Sequence, residues 1–191
     1  MKELRLFVAV NFSEESKDQI GALIDELRLL PADAKWVTRK NLHLTLQFLG
    51  NTRSERVPSL VAALEAAGRG IGAFDLRFAE FGVFPNANRP RVLWLGLTGD
   101  VAVLSKLQGQ VQDNLAQIGI EAEKRRFLPH LTLARLRTTE GLQPVLARAK
   151  TLMPKDKTIA TELIDSFELV SSVLTPKGPI YTEMAKIKLS T

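Results

Sequence analysis

A four-residue sequence, His-Leu-Thr-Leu, occurs twice in this chain of 191 residues, at 43–46 and again at 130–133. The chain has two histidines in all, and each of them opens one copy. Arg39 and Arg126, upstream of the two copies, match at the same offset of 87 residues. A repeat of this kind predicts an internal duplication whose two halves fold alike.

Hydrophobic periodicity predicts a similar order of strands and helices in the two halves of the chain. The predicted elements of the first half are a strand at 4–10, a helix capped by Ser13, a strand at 42–49, a helix capped by Ser54 and a strand at 75–84. Those of the second half are a strand at 91–97, a helix around 104–118, a strand at 130–136, a short helix at 141–152 and strands at 161–174 and 180–189.

This order predicts a pseudo-symmetric α+β protein that forms a single domain over residues 1–191. The two halves are expected at approximately 1–88 and 89–191. The boundary falls in the stretch 85–90, which is rich in the proline and asparagine typical of loops.

Composition fits an ordinary globular protein, since 45% of the residues are hydrophobic and 25% are charged. The absence of cysteine excludes disulfides and cysteine-bound metals, and it suits a reducing cytoplasm, where we expect the protein to be located. We also expect a monomer. No segment approaches the ~18 consecutive apolar residues of a membrane span, so no membrane association is expected. The net charge of +5 favours a polyanionic partner, nucleic acid first.

Strand alternation predicts which side chains of the repeated motif lie together, because successive residues of a strand point to opposite faces. His43, Thr45 and Gln47 are expected on one face, opposite the neighbouring leucines. His130 and Thr132 are expected on one face of the second motif strand. If the halves are related by a two-fold axis, both polar faces line one groove, and the two imidazoles oppose each other across it.

Two imidazoles in one groove indicate acid/base chemistry at phosphorus. Histidine titrates near pH ~6.5, so one ring can accept a proton while the other donates one. The threonine hydroxyls can donate hydrogen bonds to phosphate oxygens as charge builds on them. No phosphate-binding glycine loop or nucleophile elbow occurs in the sequence, and a zinc site built on the two histidines would leave the threonines unexplained.

Several other residues are weaker candidates. Arg135 could contact phosphate or stack on a base, but strict alternation puts it on the leucine face unless a strand end or a bulge brings it round. Strict alternation also puts Phe48 on the leucine face, so it is predicted to lie in the core. Trp36 is expected to be half-buried. Two basic clusters precede the motifs and are either solvated loop ends or a positive rim around a phosphate; their members are Lys35, Arg39, Lys40, Lys124, Arg125 and Arg126.

The segments 40–50 and 126–135 resemble the paired His-x-Thr-x motifs of the two-histidine (2H) phosphoesterases. The resemblance is greatest to the RNA 2′,3′-cyclic phosphodiesterases, also called 2′–5′ RNA ligases (LigT/ThpR-like). It extends over essentially the whole chain, including the strand at 4–10, the segment 89–94 and the late segments 171–174 and 178–181.

This resemblance implies a bilobal fold in which each lobe is an antiparallel sheet with helices on its outer face and the active groove lies between the lobes. It implies opening of a terminal 2′,3′-cyclic phosphate on RNA, tRNA fragments among the possible substrates, to leave a 2′-phosphate without metal or cofactor. His43 would be the proton donor and His130 the proton acceptor, while Thr45 and Thr132 would bind the phosphate. By reversibility, the same groups could support a slow 2′–5′ ligation.

Two alternatives stay open at this stage. One is a phosphodiesterase that acts on a small cyclic nucleotide derivative, which the basic clusters disfavour. The other is a non-catalytic module that binds RNA ends, which the intact motifs disfavour.

Overall fold

The structure is a computed structural model that describes residues 2–86, 88–123, 126–176 and 178–190. Within them the chain forms nine strands and four α-helices. The strands are β1 (Glu3–Asn11), β2 (Ala34–Trp36), β3 (His43–Arg53), β4 (Phe74–Phe84), β5 (Val92–Gly99), β6 (Leu131–Leu136), β7 (Ala160–Ile164), β8 (Ser166–Thr175) and β9 (Gly178–Lys188). The helices are α1 (Glu14–Arg28), α2 (Val57–Gly68), α3 (Val101–Gln117) and α4 (Leu142–Leu152).

The strands form two antiparallel sheets. The first sheet has the order β3-β1-β8-β9, and the second has the order β2-β6-β5-β4-β7. Each sheet therefore combines strands from both predicted halves of the chain. The division of the sequence near residue 88 stays a prediction; Ala87, in the boundary stretch, lies outside the described residues.

Helices cover one face of each sheet. Helices α2 and α3 contact each other and pack on the first sheet through β9 and β3, while α1 and α4 contact each other and pack on the second sheet through β7 and β4. The leucines of the two motifs lie in the hydrophobic core, none of them more than 3% exposed. Each such buried leucine contributes about 1.5–3 kcal/mol of hydrophobic free energy. The predicted α+β class, with two antiparallel sheets and helices on their outer faces, is confirmed.

Local signals placed most element boundaries. Ser13 caps α1 as predicted, because its side chain accepts a hydrogen bond from the Ser16 amide. Ser54 does not cap α2, which begins at Val57 after a 3₁₀ turn and has no side-chain cap. The predicted strand at 161–174 is two strands in different sheets, separated at Asp165.

The short strand β2 was not predicted from the sequence. It pairs with the second motif strand, β6, at the edge of the second sheet, and Trp36 lies half-buried in it, as expected. No described helix has the length and apolarity needed to cross a membrane.

Candidate active site

The two motif strands meet. β3, from the first sheet, and β6, from the second, contact one another. His43, Thr45, His130 and Thr132 are all partly exposed, whereas the leucines between them are buried. The predicted alternation of histidine and threonine against leucine is therefore confirmed in both copies, and the two polar faces lie between the lobes.

Each histidine is oriented by the same hydrogen bond. Nδ1 of His43 lies 2.7 Å from the Asn41 carbonyl oxygen, and Nδ1 of His130 lies 2.7 Å from the Leu128 carbonyl oxygen. Since a carbonyl only accepts, Nδ1 must carry the hydrogen and donate it. The neutral form of each ring therefore has an unprotonated Nε2, which is the nitrogen free to exchange a proton with a ligand.

Each histidine also packs edge-on against one aromatic ring. His43 lies 5.0 Å from Tyr181 at 85°, and His130 lies 4.9 Å from Phe84 at 86°, measured between ring centroids. The Phe7 ring, on the adjacent strand β1, lies 5.0 Å from the His43 ring. These contacts restrict the rotation of both imidazoles, which is the preorganisation that proton transfer at a fixed atom requires.

The surroundings of His43 favour its neutral form. Burial lowers the pKa of His43 from its ordinary value, the hydrogen bond to Asn41 raises it, and the positive charge of Arg135 lowers it again. Burial raises the pKa of Tyr181, and the charges of Arg135 and Arg5 oppose that rise. Arg135, on the second sheet, therefore acts electrostatically on two groups of the first sheet, which places all three around one space.

A bulge at the same motif position interrupts both strands. On β3, Thr45 pairs with Ala9 and Gln47 with Val8, so the register passes over Leu46. On β6, Thr132 pairs with Trp94 and Ala134 with Leu93, so the register passes over Leu133. The fourth residue of each motif is thus the extra residue of a bulge, which reverses the parity of the side chains that follow it.

The first bulge overturns two predictions. Gln47, expected beside His43 and Thr45, is 2% exposed, and its Nε2 donates to the Glu121 carbonyl oxygen at 3.2 Å. Phe48, expected in the core, is 60% exposed, and its ring lies 6.1 Å from that of Phe7, beside the histidine. Strict alternation failed here because the extra residue at Leu46 exchanges the faces of Gln47 and Phe48.

The second bulge brings Arg135 to the histidine face. Arg135 occupies the position in β6 that Phe48 occupies in β3, and it is exposed while Ala134 and Leu136 on either side are buried. A bulge was one of the two features, with a strand end, that the sequence required for Arg135 to reach the site. The pseudo-symmetric groove thus carries an aromatic ring on one side and a guanidinium on the other.

Arg135 has a cationic neighbour that the sequence grouped with the basic rim. Lys35, on β2, pairs directly with Arg135, so the two side chains share a face of the second sheet. Like charges directly opposite one another are destabilising, and a bound anion relieves that repulsion. The pair is therefore suited to hold a phosphate.

The other members of the basic clusters differ in position. Arg39 forms an ion pair with Asp18 on α1, so its charge is partly neutralised. Lys40 and Arg126 are exposed. Lys124 and Arg125 lie outside the described residues.

The aromatic residues around the histidines were missed as site residues. Phe7 lies in a predicted strand and Tyr181 in a segment that carries the family resemblance, but neither has a local pattern that separates a site aromatic from a core one. Phe84 and Trp94, whose rings lie 5.1 Å apart, are brought to His130 by the pairing of β4 with β5. Among the described residues, no group of three or more His, Cys, Asp or Glu side chains could hold a metal ion.

Two lobes that each present a His-x-Thr strand to a shared groove define a two-histidine phosphoesterase. The model of the LigT-like phosphoesterase family matches the chain twice in succession, at residues 10–94 and 95–181. The chain belongs to the LigT-like phosphoesterase family.

Named relatives and solved structures agree with this assignment. The chain is 32% identical over 178 residues to the RNA 2′,3′-cyclic phosphodiesterase of Thermotoga maritima, covering 93% of this chain and 91% of the relative. It is 30% identical over 192 residues to the protein of the same name from Aquifex aeolicus, covering 99% of each. The crystal structure of E. coli LigT complexed with 3′-AMP superposes with a TM-score of 0.80 at 26% identity over the whole of both chains.

Proposed function

We propose that this protein is an RNA 2′,3′-cyclic phosphodiesterase that opens the terminal cyclic phosphate to a 2′-phosphate by two-histidine acid/base catalysis, without a metal ion. The relatives at about 30% identity carry this activity in their names. The observation that carries the proposal is the matched pair of imidazoles on motif strands that contact one another, each with Nδ1 bonded to a carbonyl so that the neutral ring leaves Nε2 unprotonated.

The proposed reaction assigns one proton transfer to each histidine. His130 Nε2 takes a proton from water as the water oxygen forms its bond to phosphorus. His43 Nε2 gives its proton to the 3′ oxygen as the bond from phosphorus to that oxygen breaks. A positioned acid or base of this kind contributes about 10²–10⁴-fold to the rate.

Four further side chains support the phosphate in this proposal. The hydroxyls of Thr45 and Thr132 donate to non-bridging oxygens, where negative charge builds in the transition state. Arg135 and Lys35 supply positive charge from the second sheet. A phosphate bound beside Arg135 offsets the charge that lowers the pKa of His43, so substrate binding favours the protonated form that a donor needs.

Reversibility extends the proposal to ligation. When the 5′-hydroxyl of a second RNA replaces water, the same proton transfers join it to the 2′-linked phosphate and form a 2′–5′ bond. We propose this as a slow secondary activity, with RNA ends such as tRNA fragments as the substrates of both reactions.

The test is hydrolysis of an oligoribonucleotide that ends in a 2′,3′-cyclic phosphate, assayed in excess EDTA. We expect conversion to the 2′-phosphate, and a loss of at least about 10²-fold in kcat in both His43→Ala and His130→Ala. Full activity of either variant would contradict the two-histidine mechanism. Loss of wild-type activity in EDTA would show that a metal takes part.

The same assay separates the alternatives. Turnover of a free nucleotide derivative but not of the oligonucleotide would favour the small-substrate phosphodiesterase. Binding of the oligonucleotide without turnover would favour a module that only binds RNA ends.

A further inference from the structure

A large cavity lies next to the two-histidine site, and its lining contains none of the residues that the proposed reaction uses. Its volume is about 950 Å³, within the range of small-ligand sites. One wall is the second half of β3, from Phe48 to Arg53, together with Arg56. The opposite wall is the segment 119–123, which follows α3.

Hydrogen bonds hold this opposite wall in place. The Gln47 side chain donates to the Glu121 carbonyl oxygen at 3.2 Å, and the Gln112 side chain donates to the Glu123 carbonyl oxygen at 2.9 Å. The Arg56 guanidinium donates to the Ile118 carbonyl oxygen, just before the segment. The cavity is therefore built into the fold by contacts from β3, α3 and the turn before α2.

Phe48 connects the cavity with the histidines. The Phe7 ring lies 5.0 Å from the His43 ring and 6.1 Å from the Phe48 ring, so the outer two rings are at most about 11 Å apart. A ligand whose phosphate lies at His43 can therefore continue past Phe7 to the exposed face of Phe48.

The lining is suited to a nucleoside. Phe48 is 60% exposed and offers a flat aromatic face on which a base can stack, and Ile120 adds an apolar contact on the opposite wall. Arg53 forms no ion pair with any residue that the structure describes, so its guanidinium is available to a ribose or phosphate oxygen.

The charge of the lining is mixed rather than positive. Glu3 and Glu121 line the cavity together with the two arginines. A phosphate backbone that ran through the whole cavity would meet these carboxylates. One nucleoside with its phosphate on the arginine side fits the lining better than a long polyanion.

From these features we infer that the cavity binds the penultimate nucleoside of the RNA, the one that precedes the nucleoside carrying the cyclic phosphate, with its base on Phe48. The protein then prefers an RNA end of two nucleotides to a mononucleotide, and a third nucleotide adds little. This inference rests on the proposed function, because the terminal cyclic phosphate must lie at the histidines for the next nucleoside to reach the cavity.

The experiment compares kcat/KM for adenosine 2′,3′-cyclic phosphate with kcat/KM for a diadenosine that ends in the same cyclic phosphate. A base stacked on an aromatic ring increases the preference for the dinucleotide by about 5- to 150-fold. In Phe48→Ala and in Arg53→Ala, the ratio of the two kcat/KM values falls toward one. Thermal unfolding of each variant verifies that it is folded.

Arg69→Ala is the matched control for Arg53→Ala. Arg69 is also an exposed arginine, but it lies at the far end of α2, about 18 Å along the helix from the cavity. Its loss removes the same charge and leaves the substrate ratio as in the wild type. A wild-type ratio near one, or a ratio that neither cavity variant lowers, would overturn the inference. If neither substrate were hydrolysed, the proposed function would fail and the inference with it.

Discussion

Replacing Gly82 with alanine tests whether the aromatic packing behind His130 supports the site. Gly82, on β4, pairs directly with Trp94 on β5, and the Trp94 indole lies over it. The Trp94 ring packs on Phe84 at 5.1 Å, and Phe84 packs edge-on against His130 at 4.9 Å. A methyl group at Gly82 therefore perturbs a chain of rings that ends at an imidazole.

The size of the effect follows from the available space. A Cβ at position 82 would lie 2.0 Å from the nearest Trp94 ring carbon, whereas carbon atoms in contact normally lie ~3.5–4.0 Å apart. The indole must therefore move by about 1.5 Å or more. Overpacking of this kind costs about 1–3 kcal/mol of unfolding free energy. A displacement of that size passed on to His130 lowers kcat by up to about 10²-fold.

The assay is urea unfolding together with cyclic phosphodiesterase kinetics, and Gly109→Ala is the control. Gly109 lies within α3, and a Cβ there would meet nothing within 4 Å, so alanine should stabilise the helix by about 0.5–1 kcal/mol and leave kcat unchanged. We therefore expect Gly82→Ala to lower the unfolding free energy and Gly109→Ala to raise it. An unfolding free energy and a kcat for Gly82→Ala that both match the wild type would refute the argument.

Three further predictions concern proton transfer and titration. With a substrate whose leaving group is 4-nitrophenolate, which departs without protonation, His43→Ala should keep far more of its activity than His130→Ala; equal losses would contradict the assignment of His43 as donor. Arg135→Gln should raise the pKa of His43 relative to the wild type, since the arginine charge lowers it. NMR titration can follow the two histidines of the chain, with His130→Gln as the control that assigns their signals. An unchanged or lower pKa of His43 would count against the shared groove. Burial and the nearby Glu183 raise the pKa of Glu168, so the folded state binds this proton more readily than the unfolded state and ionisation of Glu168 destabilises the fold as pH rises. Glu168→Gln should therefore be more stable than the wild type in urea at pH 7.5, with a gain that shrinks toward pH 4; a gain that persists undiminished at pH 4 would show that ionisation is not its cause.

The motif strands show which side chains the strand periodicity assigns to the correct face and which it does not. The alternation of His43 and Thr45 against buried leucines is local and was read correctly from the sequence. It failed two residues later at Gln47 and Phe48, because a bulge at Leu46 shifts the parity. A bulge depends on how a strand pairs with its neighbour, and that neighbour, β1, lies some thirty residues away in the sequence.

The single strand predicted at 161–174 failed for a related reason. Apolar residues lie on both sides of Asp165, and no glycine or proline between them marks a turn. Nevertheless, β7 forms the edge of the second sheet and β8 belongs to the first. The two strands are separate because β7 pairs with a strand of the second sheet and β8 pairs with strands of the first.

By itself, the sequence determined the α+β class and the family to which the chain belongs, and it predicted the duplication and a site of two histidines with their threonines. These features are encoded in local periodicity and in a repeated motif, which need no knowledge of long-range pairing. The tertiary structure decided that Arg135 and Phe48 face the groove, that Lys35 lies opposite Arg135, and that Tyr181 and Phe84 pack against the two imidazoles. Each of these depends on strand register and on contacts between residues far apart in the chain, which local sequence does not specify.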